Sequence, residues 1–409
     1  METLAIETRQ GTAEDAVMGV VPDRVMLPDS VEGVAHVIEW ANERGAKLVP
    51  TGAGTKLDRG APPERCDILL DLSRISGVIE HAAGDMTVTV RAGTRLGDLR
   101  DELAKAGQFL AVDPPVPGTV GGLIASGDSG PRRLRYGGVR DMLLGVTFVR
   151  ADGTVARAGS KVVKNVAGYD LPKLLTGSLG TLGVIVEAIF RLYPIPPVSV
   201  TAIAKDIGVG EAARRALRLF ASGLVPSIVD YYAEGAVGLL AARFESSPRG
   251  AHGQAERALA VMGGADLLDR EPEHALWGVF DSISNTEEWD VLARLITTQS
   301  ELPGLLERTR QRAEQAGLAL SFRAHLGHGH SLIRLHGSDA GAAISLLQAI
   351  RADAESRQSS VVIWRAPREV REHVDVWGDP GEGFELMRSV KRQFDPKGTL
   401  NPGRFVGGI

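Results

Sequence analysis

Two stretches decide the fold, Thr51-Gly52-Ala53-Gly54-Thr55 and Pro117-Gly118-Thr119-Val120-Gly121-Gly122. The first comes after the apolar run Leu48-Val49-Pro50, and the second leads into Ala125-Ser126-Gly127. Glycine has no Cβ, so its peptide N–H can approach an anion closely. Neither stretch is a standard nucleotide motif. Gly52 and Gly54 fit the first two positions of GxGxxG, but Leu57 stands at the third. The next residues, Asp58-Arg59-Gly60-Ala61-Pro62-Pro63, cannot open a helix. The GxxxxGK[ST] pattern is absent as well. A phosphate held here would rest on loop amides, not on the N-terminus of a Rossmann helix. Alone, the first loop reads as a plain strand-to-loop turn. The second shifts the balance, because one turn does not need five glycines between 118 and 130. Its Thr119 and Ser126 hydroxyls are able to donate to phosphate or ring oxygens. Tight loop packing stays as the alternative. Two such loops suit a ligand with a diphosphate and a large ring system, which favours FAD over a mononucleotide.

A chain of 409 residues exceeds one compact core, so two domains are expected. The net charge of −5 argues against non-specific nucleic-acid binding. The only cysteine, Cys66, excludes an internal disulfide and an iron–sulfur cluster, so any one-electron wire must lie in another chain. Met1 to Gly11 lacks an apolar signal core, and no apolar run approaches the ~20 residues of a membrane span. The expected location is cytoplasmic, or peripheral at the inner face of the cell membrane through partners.

Asp29-Ser30 caps a predicted helix with Val34, Val37, Ile38 and Ala41 on one face, closed by Gly45. Residues 67–72, 87–90 and 184–193 read as strands, and 95–106 as a helix. Residues 144–157 read as a hairpin turning at Asp152-Gly153. Pro194, Pro196 and Pro197 make a stiff linker. After it, helical patterns (211–220, 251–262, 305–316, 340–354) alternate with strand-like runs (228–232, 237–244, 318–323, 331–335, 361–365). That texture predicts an antiparallel sheet covered by helices on one side. Gly177 to Gly183, just before a long strand, offers a backbone edge suited to an adenine. Asn401-Pro402-Gly403 is suited to meet a flavin edge, or is a terminal turn.

The order of Pro50 to Thr55, Ala92-Gly93 with Leu96, Pro117 to Gly122, Tyr136-Gly137, Gly180 to Ile185 and Asn401-Pro402-Gly403 resembles the vanillyl-alcohol-oxidase (PCMH-type) FAD-binding family. Ser129 to Asp141 and Lys164 to Asp170 are similar to the FAD-binding E subunits of bacterial glycolate oxidases (glycolate dehydrogenases) in particular. The resemblance implies an α+β fold. A two-subdomain FAD-binding domain spans 1–197, an α+β cap domain with an antiparallel sheet spans 198–370, and a C-terminal helix and tail, 371–409, return to the FAD domain. It implies that Thr51, Gly52, Ala53, Gly54 and Thr55 grip the diphosphate. Pro117, Gly118, Thr119, Gly121, Gly122, Ser126 and Gly130 would line diphosphate and flavin, with Gly180 and Ile185 at the adenine and Asn401 near the isoalloxazine. Some relatives tether the flavin through a histidine. No histidine occurs between His81 and His252, so non-covalent FAD is expected.

Two breaks from the family pattern bear on activity. Relatives that oxidise 2-hydroxy acids carry H-x-G-D-G-N-x-H, whose histidines help bind a metal. Here His325-Leu326-Gly327-His328-Gly329-His330-Ser331-Leu332 keeps the first histidine and has Leu332 at the second ligand's place. Side chains at odd offsets along a strand face opposite ways, so a shared site needs a bend at Gly327 and Gly329, and no metal is expected. The E-H-G-x-G segment of relatives is replaced by Val361-Val362-Ile363-Trp364-Arg365-Ala366-Pro367, which has neither Glu nor His. Arg365 is then the one candidate for contact with a carboxylate or the reduced flavin, against a plain surface arginine. Arg132, Arg133, Arg135 and Arg140 read as a solvated loop, a phosphate contact or, preferred, a dock for an acidic partner surface. The resemblance implies a FAD subunit of a glycolate oxidase working in glyoxylate metabolism, with a sister FAD-containing D-type subunit and an iron–sulfur subunit as partners. A stand-alone D-2-hydroxy-acid (D-lactate) dehydrogenase and a structural subunit with a vestigial flavin site remain as alternatives.

Overall fold

The computed structural model describes residues 6–161, 168–263, 266–337 and 339–409. Lys164 to Ala167, part of one family-like stretch, lie outside them. The chain forms two compact units: residues 1–130, 137–195 and 379–409 make the first, and residues 131–136 and 196–378 the second.

In the first unit, Ser30 accepts the Gly33 N–H and starts the helix Val31–Arg44, and Gly45 ends it in the left-handed region at φ 65°. Its Val34, Val37, Ile38 and Ala41 face a core shared by two sheets. One sheet runs in the order Glu7–Gln10, Arg24–Leu27, Ile68–Asp71, Leu48–Thr51, with its last two pairings parallel. The other is antiparallel, in the order Val78–Ala82, Thr87–Arg91, Val184–Arg191, Leu143–Val149, Val155–Gly159. The Asp-Gly hairpin is present, with Gly153 at φ 81°. The C-terminal tail joins this unit. Leu48 donates to Thr399 O, Asn401 donates back to Leu48 O, and Leu400 lies in the core.

The second unit is one antiparallel sheet of eight strands in the order Asp266–Asp269, Val198–Ile207, Gly238–Ser246, Ile228–Glu234, Ala319–His325, His330–His336, Val291–Ile296, Ser360–Arg365. Tyr231 and Tyr232 are neighbours on one strand and so face opposite ways. Tyr232 packs on Phe280 of the helix Arg270–Asp281. Tyr231 stands near Glu307 and Arg310 of the helix Leu302–Gln315. Helices thus cover both faces of the sheet, which corrects the one-sided expectation. Among the described residues, no helix is long and apolar enough to cross a membrane.

Candidate cofactor site

The two glycine segments, far apart in sequence, lie against each other at one cleft of the first unit. A Cβ added to Gly52 would stand 2.4 Å from Thr119 Oγ1, and one added to Gly118 would stand 2.7 Å from Thr55 Oγ1. A Cβ on Gly121 would meet that of Ala92 at 3.0 Å, and the Gly121 N–H donates to Ala92 O at 2.8 Å. The glycines therefore let loop meet loop and loop meet strand.

The second segment is also not a bare loop. Thr119 accepts the Gly122 N–H and caps the helix Val120–Ser126, and the Ser126 hydroxyl donates to Gly122 O at 2.7 Å. The first segment behaves differently. Among the described residues, no acceptor takes the peptide N–H of Gly52, Ala53, Gly54, Thr55 or Lys56. Gly54 sits at φ +71°, a conformation a side chain would strain. Five successive amides, the donors that a phosphate-binding loop needs, are thus without an acceptor among the described residues.

The cleft holds about 790 Å³ of space, part of it open to solvent. Of the residues expected from sequence, Thr51, Gly52, Ala53, Gly54, Thr55, Thr119, Gly121, Gly122, Ser126, Gly180, Ile185 and Asn401 line it. Pro117, Gly118 and Gly130 do not. Gly130 is required by packing instead, since its Cβ would fall 1.8 Å from Asp113 O. Asn401 shapes the wall: at φ 47° it donates from Nδ2 to Leu179 O and accepts from Arg404 at 3.4 Å. Gly180, at φ +73°, lies under Pro50, where a Cβ would come 2.8 Å from Cγ.

Sequence reading missed the cations. Lys56, Arg59 and Arg404 line the cleft, and among the described residues no carboxylate does. Arg404 is buried and its Nη2 donates to Leu57 O and Arg59 O, so the tail holds the cationic end of the first loop. Lys56 donates to Val116 O at 2.7 Å, and burial pulls its pKa down to about 8. A phosphate gains from the protonated form of Lys56. The part of the pyrophosphate affinity that Lys56 supplies should therefore be full well below pH 8 and fall above it, with proton uptake on binding small at pH 7 and approaching one per anion at pH 9. Lys56→Met should bind more weakly and lose that pH dependence, which titration calorimetry at pH 7 and 9 measures.

Amides, cations and apolar walls from Leu57, Leu72, Leu179, Val184 and Ile185 fit a dinucleotide with an extended ring. Cys66 does not reach this cleft. It lies in a separate apolar cluster, and burial raises its thiol to about 11.

The second unit holds the remaining candidates. Arg132 pairs with Glu245 at 2.8 Å and Arg135 donates to Glu245 O at 3.1 Å. Both thus have partners inside the chain, and Arg135 is also exposed. Gly329, at φ +73°, makes the expected bend between the strands ending at His325 and starting at His330. The bend stacks His325 on His328 at 5.0 Å and sets His330 edge-on to His328 at 4.8 Å. His325 bonds Asp230 and His330 meets Arg294. Burial holds His328 down at about 3 and His330 lower still, so both rings are neutral at pH 7. Among the described residues, no group of His, Cys, Asp and Glu is arranged to hold a metal. Arg365 is exposed at the end of an edge strand, where it donates to Thr286 Oγ1 at 2.8 Å.

Residues 22–159 match the FAD binding domain model, and residues 379–405 match that of the C-terminal domain of FAD linked oxidases. The chain is 30% identical to glycolate oxidase subunit GlcE of Escherichia coli (strain K12) over 388 residues, covering 92% of this chain and 97% of that protein. It is 25% identical to glycolate oxidase subunit GlcD of Bacillus subtilis (strain 168), covering 94% and 89%. The fold matches alkyldihydroxyacetonephosphate synthase with a TM-score of 0.73 at 18% identity, over 94% of this chain and 78% of that one. With these matches falling on the segments that build the cleft, the chain belongs to the FAD-linked oxidase family with a PCMH-type FAD-binding domain.

Proposed function

We propose that this protein is the FAD-bearing E-type subunit of a multi-chain glycolate oxidase, with its FAD held non-covalently by the cleft. The likeness to GlcE over nearly that protein's whole length carries this reading. When bound, the flavin supplies two-electron redox chemistry at its ring. The residues of this chain bind and orient it: the amides of Gly52 to Lys56 with Lys56 and Arg59 at the diphosphate, Ile185 and Gly180 at the adenine, and Asn401 fixing the wall. Among the described residues, no histidine or cysteine lines the cleft, which supports a dissociable cofactor.

Oxidising a 2-hydroxy acid requires a base for the hydroxyl proton. Among the described residues, no carboxylate or imidazole lines the cleft. The Val361 to Pro367 stretch has neither, and His325 is bonded to Asp230. These features favour substrate oxidation on a sister FAD-containing D-type subunit, with an iron–sulfur subunit carrying electrons onward. Arg365 has no part in this reading. The test is anaerobic mixing with glycolate and with D-lactate. The isolated chain should stay yellow over minutes, and the co-expressed complex should bleach with glycolate. Rapid bleaching of the isolated chain would overturn the proposal.

A further inference from the structure

Two buried carboxylates of the first unit are treated in opposite ways. Asp395 is fully satisfied: Oδ2 accepts Lys391 Nζ and the Leu400 N–H, both at 2.7 Å, and Oδ1 accepts the Thr399 N–H at 2.9 Å. Asp128 is equally inaccessible, yet neither of its oxygens receives a hydrogen bond from the described residues. It comes after Gly127, the left-handed residue that ends the helix Val120–Ser126. Its Oδ2 stands 3.0 Å from Arg59 Nη2 and 3.9 Å from Lys56 Nζ. Charge faces charge, but not in the aligned geometry of a permanent buried pair. The Lys56 ammonium gives its short bond to Val116 O instead. Both cations also line the cleft, whose described walls carry no carboxylate.

We propose that Asp128 is a built-in counter-ion of the diphosphate site, holding Arg59 and Lys56 at the cleft wall until a phosphate group takes over their pairing. The inference rests on the cofactor reading above. With Asp128 the three side chains sum to one positive charge, and without it to two. The carboxylate thus steadies the protein without ligand and opposes the bound anion, which moderates affinity and keeps loading reversible. A purely structural Asp128 would do the reverse, since its loss would misplace the cations and weaken binding.

Asp128→Asn in the full chain separates these. Titration with FAD, ADP and pyrophosphate should show binding at least about tenfold tighter than in the parent protein, with a steeper salt dependence. The midpoint of thermal unfolding without ligand should drop, and the rise on adding ADP should be larger than in the parent. Asp128→Asn/Lys56→Met restores the sum to one positive charge. It should return both the ligand-free midpoint and the ADP affinity to near the parent values, and it gives a folded sample should the single variant not yield one. Binding by Asp128→Asn that is unchanged or weaker, or binding by the double variant more than tenfold below the parent, overturns the proposal. A parent protein that binds FAD alongside either result leaves the cofactor reading standing. A parent protein that takes up neither FAD nor ADP defeats both.

Discussion

Asp395→Ala is expected to destabilise the protein by about 3–5 kcal/mol, the usual result of stranding one member of a buried ion pair. Three bonds to the carboxylate vanish together: those from Lys391 Nζ, the Thr399 N–H and the Leu400 N–H. Lys391 is left buried with only Thr181 O and Leu400 O to receive its ammonium. Burial already lowers its pKa, and Asp395 is what opposes that shift. The damage spreads to the cleft through short links. Thr399 and Asn401 bracket Leu48 by backbone bonds, and Asn401 holds Leu179 O. Flavin should therefore be lost on desalting before the chain unfolds globally. Urea unfolding and flavin content per chain measure the two effects. Asp395→Asn keeps one acceptor oxygen and should fall between. A loss below about 1 kcal/mol, the size of an ordinary surface change, would show that the tail is held by something else.

That knot was not legible in the sequence, and the reason is distance. Lys391 and Asp395 are one helical turn apart, but their other partners lie at Thr181 and Leu400. Elements with local signals were read well. Ser30 and Gly45 bracket their helix, and Asp152-Gly153 turns its hairpin. The helix Arg270–Asp281 was missed, since Pro272 interrupts its pattern, although Trp277 and Phe280 belong to the core of the second unit. The strand Val198–Ile207 was missed because the neighbouring prolines were read as a linker.

At the site, glycine positions were legible because few residue types serve where a backbone must approach another. Their purpose was not, because it depends on what lies opposite: Thr119 for Gly52, Ala92 for Gly121, Asp113 O for Gly130. Charged groups were least legible. Lys56, Arg59 and Asp128 lie among glycines without a motif of their own, and only the structure shows Asp128 buried beside the other two.

Gly52→Val should abolish flavin retention, and the geometry says how. The first added carbon would stand 2.4 Å from Thr119 Oγ1, 3.0 Å from its Cγ2 and 3.2 Å from its Cβ. Thr119 is buried and caps the helix Val120–Ser126, so its side chain cannot swing aside without losing that bond. Forced overpacking costs about 1–3 kcal/mol and a lost cap about 1 kcal/mol. The relief available is to part the two segments, which spreads the amides of residues 52–56 that would hold the diphosphate. Weakening by at least about 100-fold, roughly 2.7 kcal/mol, is expected for FAD binding. Gly97→Ala is the control. Nothing lies within 4 Å of its Cβ, and it sits in the first turn of the helix Leu96–Ala104, so it should cost no stability and keep its flavin. The decisive comparison uses the smaller Gly52→Ala with Thr119→Ala. If the clash is the cause, removing Oγ1 and Cγ2 from Thr119 should restore part of the binding that Gly52→Ala loses, so the double variant binds FAD better than additivity allows. Strict additivity would place the defect in the Gly52 backbone and not in its contact with Thr119.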